Sequence, residues 1–143
     1  MVRIREATLA DSEKLAAQSG QLGYPADAET IARRLRAIVD HGAGVVLVAE
    51  SVAGAVVGWA HAMPERALVC DVRVQLAGLV VAEDARGGGI GTALLHAAEG
   101  WARAQGFAAL AVRSNVIRSR AHRFYLRAGY VEQKRQAVFT KAM

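Results

Sequence analysis

The sequence predicts an α+β (mixed α/β) domain, and three observations carry that prediction. Apolar residues recur at strand and helix spacing in the order βααβββαβαββ, which mixes antiparallel hairpins with one strand–helix–strand crossover. A strand runs into a helix through a turn that has glycine at positions 87, 88, 89 and 91. The 143 residues are 53% hydrophobic and 22% charged, with no Pro/Ser-rich linker, repeat or low-complexity tract, which fits one domain over 1–143.

Each element has its own signal. Val2, Arg3, Ile4 and Arg5 alternate as a half-buried strand. Thr8 or Asp11 can cap a helix over about 11–20, which Gly20, Gly23 and Pro25 end. Asp27 can cap the next, where Ile31, Leu35 and Ile38 share a face and Gly42 and Gly44 stop the run. Val45–Ala49 and Ala55–Ala60 read as a hairpin turning near Gly54, and Val72–Val81 as a further long strand. The helix opened by Gly87–Gly91 has Ile90, Leu94, Ala97 and Trp101 as its expected inward stripe. Phe107–Val112 reads as a strand, and Ile117, Ala121, Phe124 and Ala128 as the core face of a last helix. Tyr130–Glu132 and Arg135–Thr140 are expected to close the sheet.

Composition excludes several classes. No apolar h-region follows Arg3, Arg5 and Glu6, which argues against a secretory signal. The apolar stretch Ala43–Ala62 is broken by Glu50, Ser51, Gly54 and Gly58, so two strands are expected there and no membrane span. Cys70 is the one cysteine, which rules out an intramolecular disulfide and fits a reducing cytoplasm; no spacing of His, Asp and Glu points to a metal. Charge is uneven: residues 1–100 carry 9 Lys+Arg and 12 Asp+Glu (net −3), whereas 101–143 carry 9 Lys+Arg and only Glu132 (net +8). The basic third suits an anionic partner or a solvated face. Nucleic acid is disfavoured, because no binding motif or stacking platform of aromatics accompanies the arginines.

The glycine turn is the sharpest local feature. Four glycines at a helix start cost chain entropy, and they let a ligand approach the unpaired N–H groups at the positive end of the helix dipole. Arg86 adds a fork donor just before them, so phosphate binding is the favoured reading over a merely flexible turn. A P-loop would need Gly-Lys-Ser/Thr where Gly91 is followed by Thr92 and Ala93. A dinucleotide fingerprint would need a small residue where Leu94 stands if read from Gly89, and a third glycine where Thr92 stands if read from Gly87. NADP stays open through Arg113 as a phosphate selector.

Two motifs and their order resemble the GNAT-type N-acetyltransferase superfamily. Arg86, Gly89 and Gly91 match its pyrophosphate motif Arg/Gln-x-x-Gly-x-Gly/Ala. Ala121, Phe124, Tyr125, Gly129 and Tyr130 match its Ala-x-x-Phe-Tyr-x-x-x-Gly-Phe/Tyr signature, and Ile4, Arg5, Ala7 and Asp11 its usual opening. The resemblance covers nearly the whole chain. It implies a central, mostly antiparallel twisted sheet with about four helices and a splayed strand pair that forms the cofactor cleft. Main-chain groups of Leu79, Val80 and Val81 would then bond pantetheine and polarise the acetyl carbonyl, and Gly87, Gly88, Gly89, Ile90, Gly91 and Thr92 would wrap the pyrophosphate. Tyr125 corresponds to a tyrosine that protonates the departing thiolate; its bland alternative is packing beside Phe124. Arg118, His122 and Tyr125 fall at i, i+4 and i+7, so Arg118 and His122 would flank the cofactor.

There are departures from the pattern. Relatives carry Asn where Arg118 stands, and Asn115 lies three residues earlier, so either could make that cofactor contact. Residues 74–78 offer no carboxylate to serve as base, leaving Glu65, Asp71, Glu83, Asp84 or a water held by Gln75. His61 could line the acceptor cleft, and Tyr24 and Pro25 lie where relatives build part of it. The resemblance implies an enzyme, an acyltransferase moving acetyl from acetyl-CoA to a primary amine, chiefly of a small molecule, by direct attack in a ternary complex. Alternatives are a protein or peptide amino group as acceptor, or a non-catalytic CoA-binding module. A cytoplasmic location and a homodimer are compatible with this reading.

Overall fold

A computed structural model describes all 143 residues, which fall into two compact units, Met1–Val112 and Arg113–Met143. The first unit opens with β1 (Val2–Glu6), a 3-10 turn (Leu9–Asp11), α1 (Ser12–Gln21) and α2 (Ala28–Asp40). It continues with β2 (Val45–Ser51), β3 (Val56–Ala67), β4 (Cys70–Val81), a 3-10 turn (Glu83–Ala85), α3 (Ile90–Ala104) and β5 (Leu110–Val112). The second unit holds α4 (Ser119–Arg127).

The five strands form one sheet in the order β1-β2-β3-β4-β5, antiparallel throughout except for the parallel β4–β5 pair. Side chains alternate across it. Trp59 packs with Leu15, Leu35, Val48 and Val56 beneath α1 and α2. Gly58, one residue earlier, faces α3: a Cβ on it would stand 2.8 Å from the Val80 carbonyl oxygen and 3.2 Å from Leu94 Cδ1. That close approach is why glycine occupies the position.

The start of the chain is tied down by charge. Arg5 grips Asp11 with both terminal nitrogens (2.9 and 3.0 Å) and Glu50 with Nε (2.7 Å), joining β1 to the first turn and to β2. Asp11 also accepts the Thr8 N–H at 2.8 Å, completing a capping box. Asp27 caps α2 by accepting the Thr30 N–H at 2.7 Å.

Several sequence expectations need correction. β3 runs on to Ala67 and forms a long hairpin with β4, which begins at Cys70, so His61 lies within a strand and not at its end. β5 is three residues long, and Phe107–Ala109 precede it. The buried stripe of α3 is Leu94, Leu95, Ala98 and Ala102, rotated from the expected one toward alanines that let the helix lie close on the sheet. Ile117 precedes α4 and is 82% exposed, and no residue of α4 is fully buried. No strand forms after α4: Val131, Val138 and Phe139 are exposed, and an alternating pattern makes a strand only where another strand pairs its backbone groups.

Candidate active site

The site begins with an irregularity in β4. His61 pairs with Gly78 and the next rung joins Ala62 to Leu76, so Ala77 is an extra residue, a β-bulge. The same point ends the pairing with β5, which spans only Val74–Leu76 against Leu110–Val112. From Ala77 to Val81 the strand therefore has a partner on one side only. Leu79, Val80 and Val81 stand on this splayed segment, paired with Ala60, Trp59 and Gly58.

The strand leads into the glycine turn. Gly87 (φ 88°) and Gly89 (φ 79°) adopt the left-handed conformation that side chains disfavour, and no heavy atom lies within 4 Å of where a Cβ would stand on either. The turn is thus open on its outer side. The N–H of Ala93 donates to the Gly89 carbonyl (3.0 Å), while those of Ile90, Gly91 and Thr92 precede any helical acceptor. Arg86 Nε donates to the Val81 carbonyl at 3.3 Å, so its guanidinium is held between strand end and turn. This groove of free N–H groups, at a helix end beside an exposed arginine, suits a diphosphate.

In the second unit, Asn115 Oδ1 accepts the Ile117 N–H (3.1 Å), and the Asn115 carbonyl meets His122 Nε2 at 2.9 Å. A carbonyl only accepts, so Nε2 carries a proton and donates it to this contact. Arg118 sits at the N-cap of α4, and its charge acts on Tyr125. Tyr125 is half-buried and stacks edge-on with Phe124 (centroids 5.2 Å) and Tyr130 (5.9 Å). Burial pushes its phenol up to about 12, Arg118 pulling slightly the other way. Arg118 precedes the helix with non-helical dihedrals (φ −89°, ψ 66°), while His122 and Tyr125 lie within it.

A cavity of about 290 Å³ lies within the first unit. Its floor is Val46, Trp59, His61 and Ala77, from three adjacent strands; apolar residues of α1 and α2 roof it, with Tyr24 and Arg34. The bulge residue Ala77 thus belongs to both the splayed edge and the cavity. His61 and Tyr24, named separately by sequence reasoning, meet in its lining. Burial lowers the His61 pKa below its usual 6.5, and both His61 Nε2 and Trp59 Nε1 are buried without a hydrogen-bond partner. Glu65, a candidate base, is instead paired with Arg73 across the ladder at 3.1 Å. Sequence reasoning missed Trp59, Arg34 and Ala77. The i, i+2 spacing of Trp59 and His61 was a usable signal for the first.

No group of three or more His, Cys, Asp or Glu residues is placed to hold a metal ion, and no helix is long and apolar enough to cross a membrane. A bulged strand that splays from its parallel neighbour and feeds a glycine-opened helix defines the fold class. Residues 10–130 match the acetyltransferase (GNAT) family, and the chain belongs to it. The fold is similar to the aminoglycoside N-acetyltransferase AAC(6')-Iy, solved in complex with CoA: 19% identity, TM-score 0.86, covering 100% of this chain and 96% of that one. It is similar to the aminoglycoside 6'-N-acetyltransferase AAC(6')-Ih from Acinetobacter baumannii (18%, TM-score 0.84, 100% and 99% covered). It is likewise similar to a transcriptional regulator from Bacillus halodurans (22%, TM-score 0.85, 99% and 100% covered). At these identities the likeness is one of fold. No curated protein matches the chain in sequence.

Proposed function

We propose that this acetyltransferase moves the acetyl group of acetyl-CoA to the primary amine of a small molecule, by direct attack in a ternary complex. The observation that carries the reading is the one-sided edge of β4 from Ala77 to Val81, continuous with the open glycine turn. Such an edge can ladder with the amides of an extended pantetheine arm, as it would with another strand. Main-chain groups of Leu79, Val80 and Val81 bind that arm, and the N–H groups of residues 87–92 with Arg86 bind the pyrophosphate. Asn115 has its side-chain oxygen committed to its own turn, which favours Arg118 for the further cofactor contact, with His122 beside it. Residues 1–143 then act as a single acetyltransferase domain. A cytoplasmic location suits that cosubstrate.

In the reaction the amine nitrogen bonds to the thioester carbon as the C–S bond breaks. Nitrogen loses a proton, and sulfur leaves as a thiolate that solvent protonates. His61 is the cavity-lining group able to accept the proton near neutrality, because burial keeps its imidazole neutral. Tyr125, at about 12, is protonated at every working pH. Giving its proton fully to a thiolate of pKa about 8.5 would be uphill by about 5 kcal/mol. Its role is therefore to donate a hydrogen bond to sulfur as charge develops there.

The test is thiol release from acetyl-CoA over a panel of amines, alongside calorimetry of acetyl-CoA binding. Turnover of a small amine is expected; no binding and no turnover would remove the reading. Binding of CoA without transfer to any amine would favour the non-catalytic module, which the lack of a carboxylate on residues 74–78 otherwise recommends.

A further inference from the structure

The cavity described above has a chemical character that selects its occupant. None of its lining residues is Asp or Glu, and its one permanent charge is Arg34 on α2. No carboxylate pairs with Arg34. The rest is chiefly apolar, with Trp59 and His61 each holding a buried nitrogen that lacks a partner. A polycationic acceptor would find no counter-charge in such a lining, and desolvating several ammonium groups there is costly.

The layout gives a length as well as a polarity. Val46, His61 and Gly78 stand in one row across β2, β3 and β4, with Ala77 next to the last of them. Ala77 marks the end where the acetyl group is delivered. Arg34, an exposed residue of the lining, is carried by α2, which packs on β2 at the other end of the row. Two strand spacings, about 10 Å, separate β2 from β4 along this row.

We infer that the cavity takes a small amine with an apolar body and one anionic group at the end remote from the amine, paired with Arg34. This rests on the acetyl-transfer reading for the direction of the amine. The volume of about 290 Å³ is at the small end for ligand pockets and suits one ring or a short alkyl chain between the two polar ends.

The experiment compares para-aminomethylbenzoate with benzylamine, phenylalanine and an aminoglycoside, by turnover with acetyl-CoA and by calorimetry on the CoA-bound protein. The carboxylated benzylamine is expected to have a KM at least tenfold below that of benzylamine. Arg34→Gln should remove that advantage and Arg34→Lys should restore much of it, with Tm reporting that both variants fold. A lower KM for the aminoglycoside, or discrimination that survives Arg34→Gln, would overturn the pocket assignment while leaving acetyl transfer standing. Preference for phenylalanine would overturn the end-to-end arrangement. Binding of para-aminomethylbenzoate that weakens tenfold in Arg34→Gln, without turnover of any amine, would support the pocket and sink the acetyl-transfer reading. Absence of both binding and turnover of the carboxylated amine would overturn the inference outright.

Discussion

The indole of Trp59 lies against the α-carbon of Gly78, where a Cβ would stand 2.7 Å from two of its ring carbons. The two residues are on neighbouring strands, and the ring forms part of the cavity floor. Glycine at 78 therefore sets how far the ring stands out of the cavity.

Gly78→Ala should push that ring into the space the acceptor needs. The contacts are with the far end of the side chain, so the protein should fold with a loss of about 1–3 kcal/mol. KM for the amine should rise about tenfold or more, the equivalent of 1.4 kcal/mol or above, while acetyl-CoA affinity by calorimetry stays the same. Equal losses for both ligands would place Trp59 outside the acceptor site.

His61 predicts a pH dependence. Burial lowers its pKa below 6.5, and a base must be neutral to act. As pH rises, kcat/KM should climb through that lowered value and level off; the rise due to the substrate's own ammonium lies higher and is separate. His61→Gln should abolish the lower limb and reduce kcat about a hundredfold. A limb that persists in the variant would dismiss His61 as base.

For Tyr125 the expected outcome is a split between chemistry and binding. Tyr125→Phe removes the hydroxyl and keeps the ring contacts with Phe124 and Tyr130. Turnover should fall tenfold to a hundredfold, and the Kd for acetyl-CoA should change less than threefold, a loss confined to the transition state. Because the phenol sits at about 12, it should contribute no alkaline limb below pH 10 or so. Undiminished turnover would reduce Tyr125 to packing.

Stability should fall in acid through Asp11. Its double contact with Arg5 and the Thr8 N–H hold its carboxyl below the usual range. A lowered folded pKa stabilises the protein above the unfolded value of about 3.9, and the contribution fades as pH drops through the folded value. Asp11→Asn should cost about 1–3 kcal/mol at pH 7 by urea unfolding and flatten the acid dependence. An unchanged midpoint at pH 7 would show that the pair is energetically idle.

Local chemistry in the sequence carried much of this. Positive-φ glycines, a cap at Asp27, and helical spacing each depend on a few neighbouring residues, so the turn at 86–92 and the helices were legible in advance. The expectations that failed depended on partners. Tyr130–Glu132 and Arg135–Thr140 alternate like strands, yet alternation says nothing about whether another backbone is there to pair with them.

The sequence by itself determined the family, the order of elements as far as α4 and the conformation of the glycine turn, because short-range sterics and spacing encode them. Only the tertiary structure decided that Ala77 bulges, that β4 leaves β5 after Leu76, and that Tyr24, Arg34, Trp59 and His61 line one cavity. Ladder register and helix placement come from the packing of segments far apart in the chain, and a one-residue slip in β4 is invisible until its partners are known.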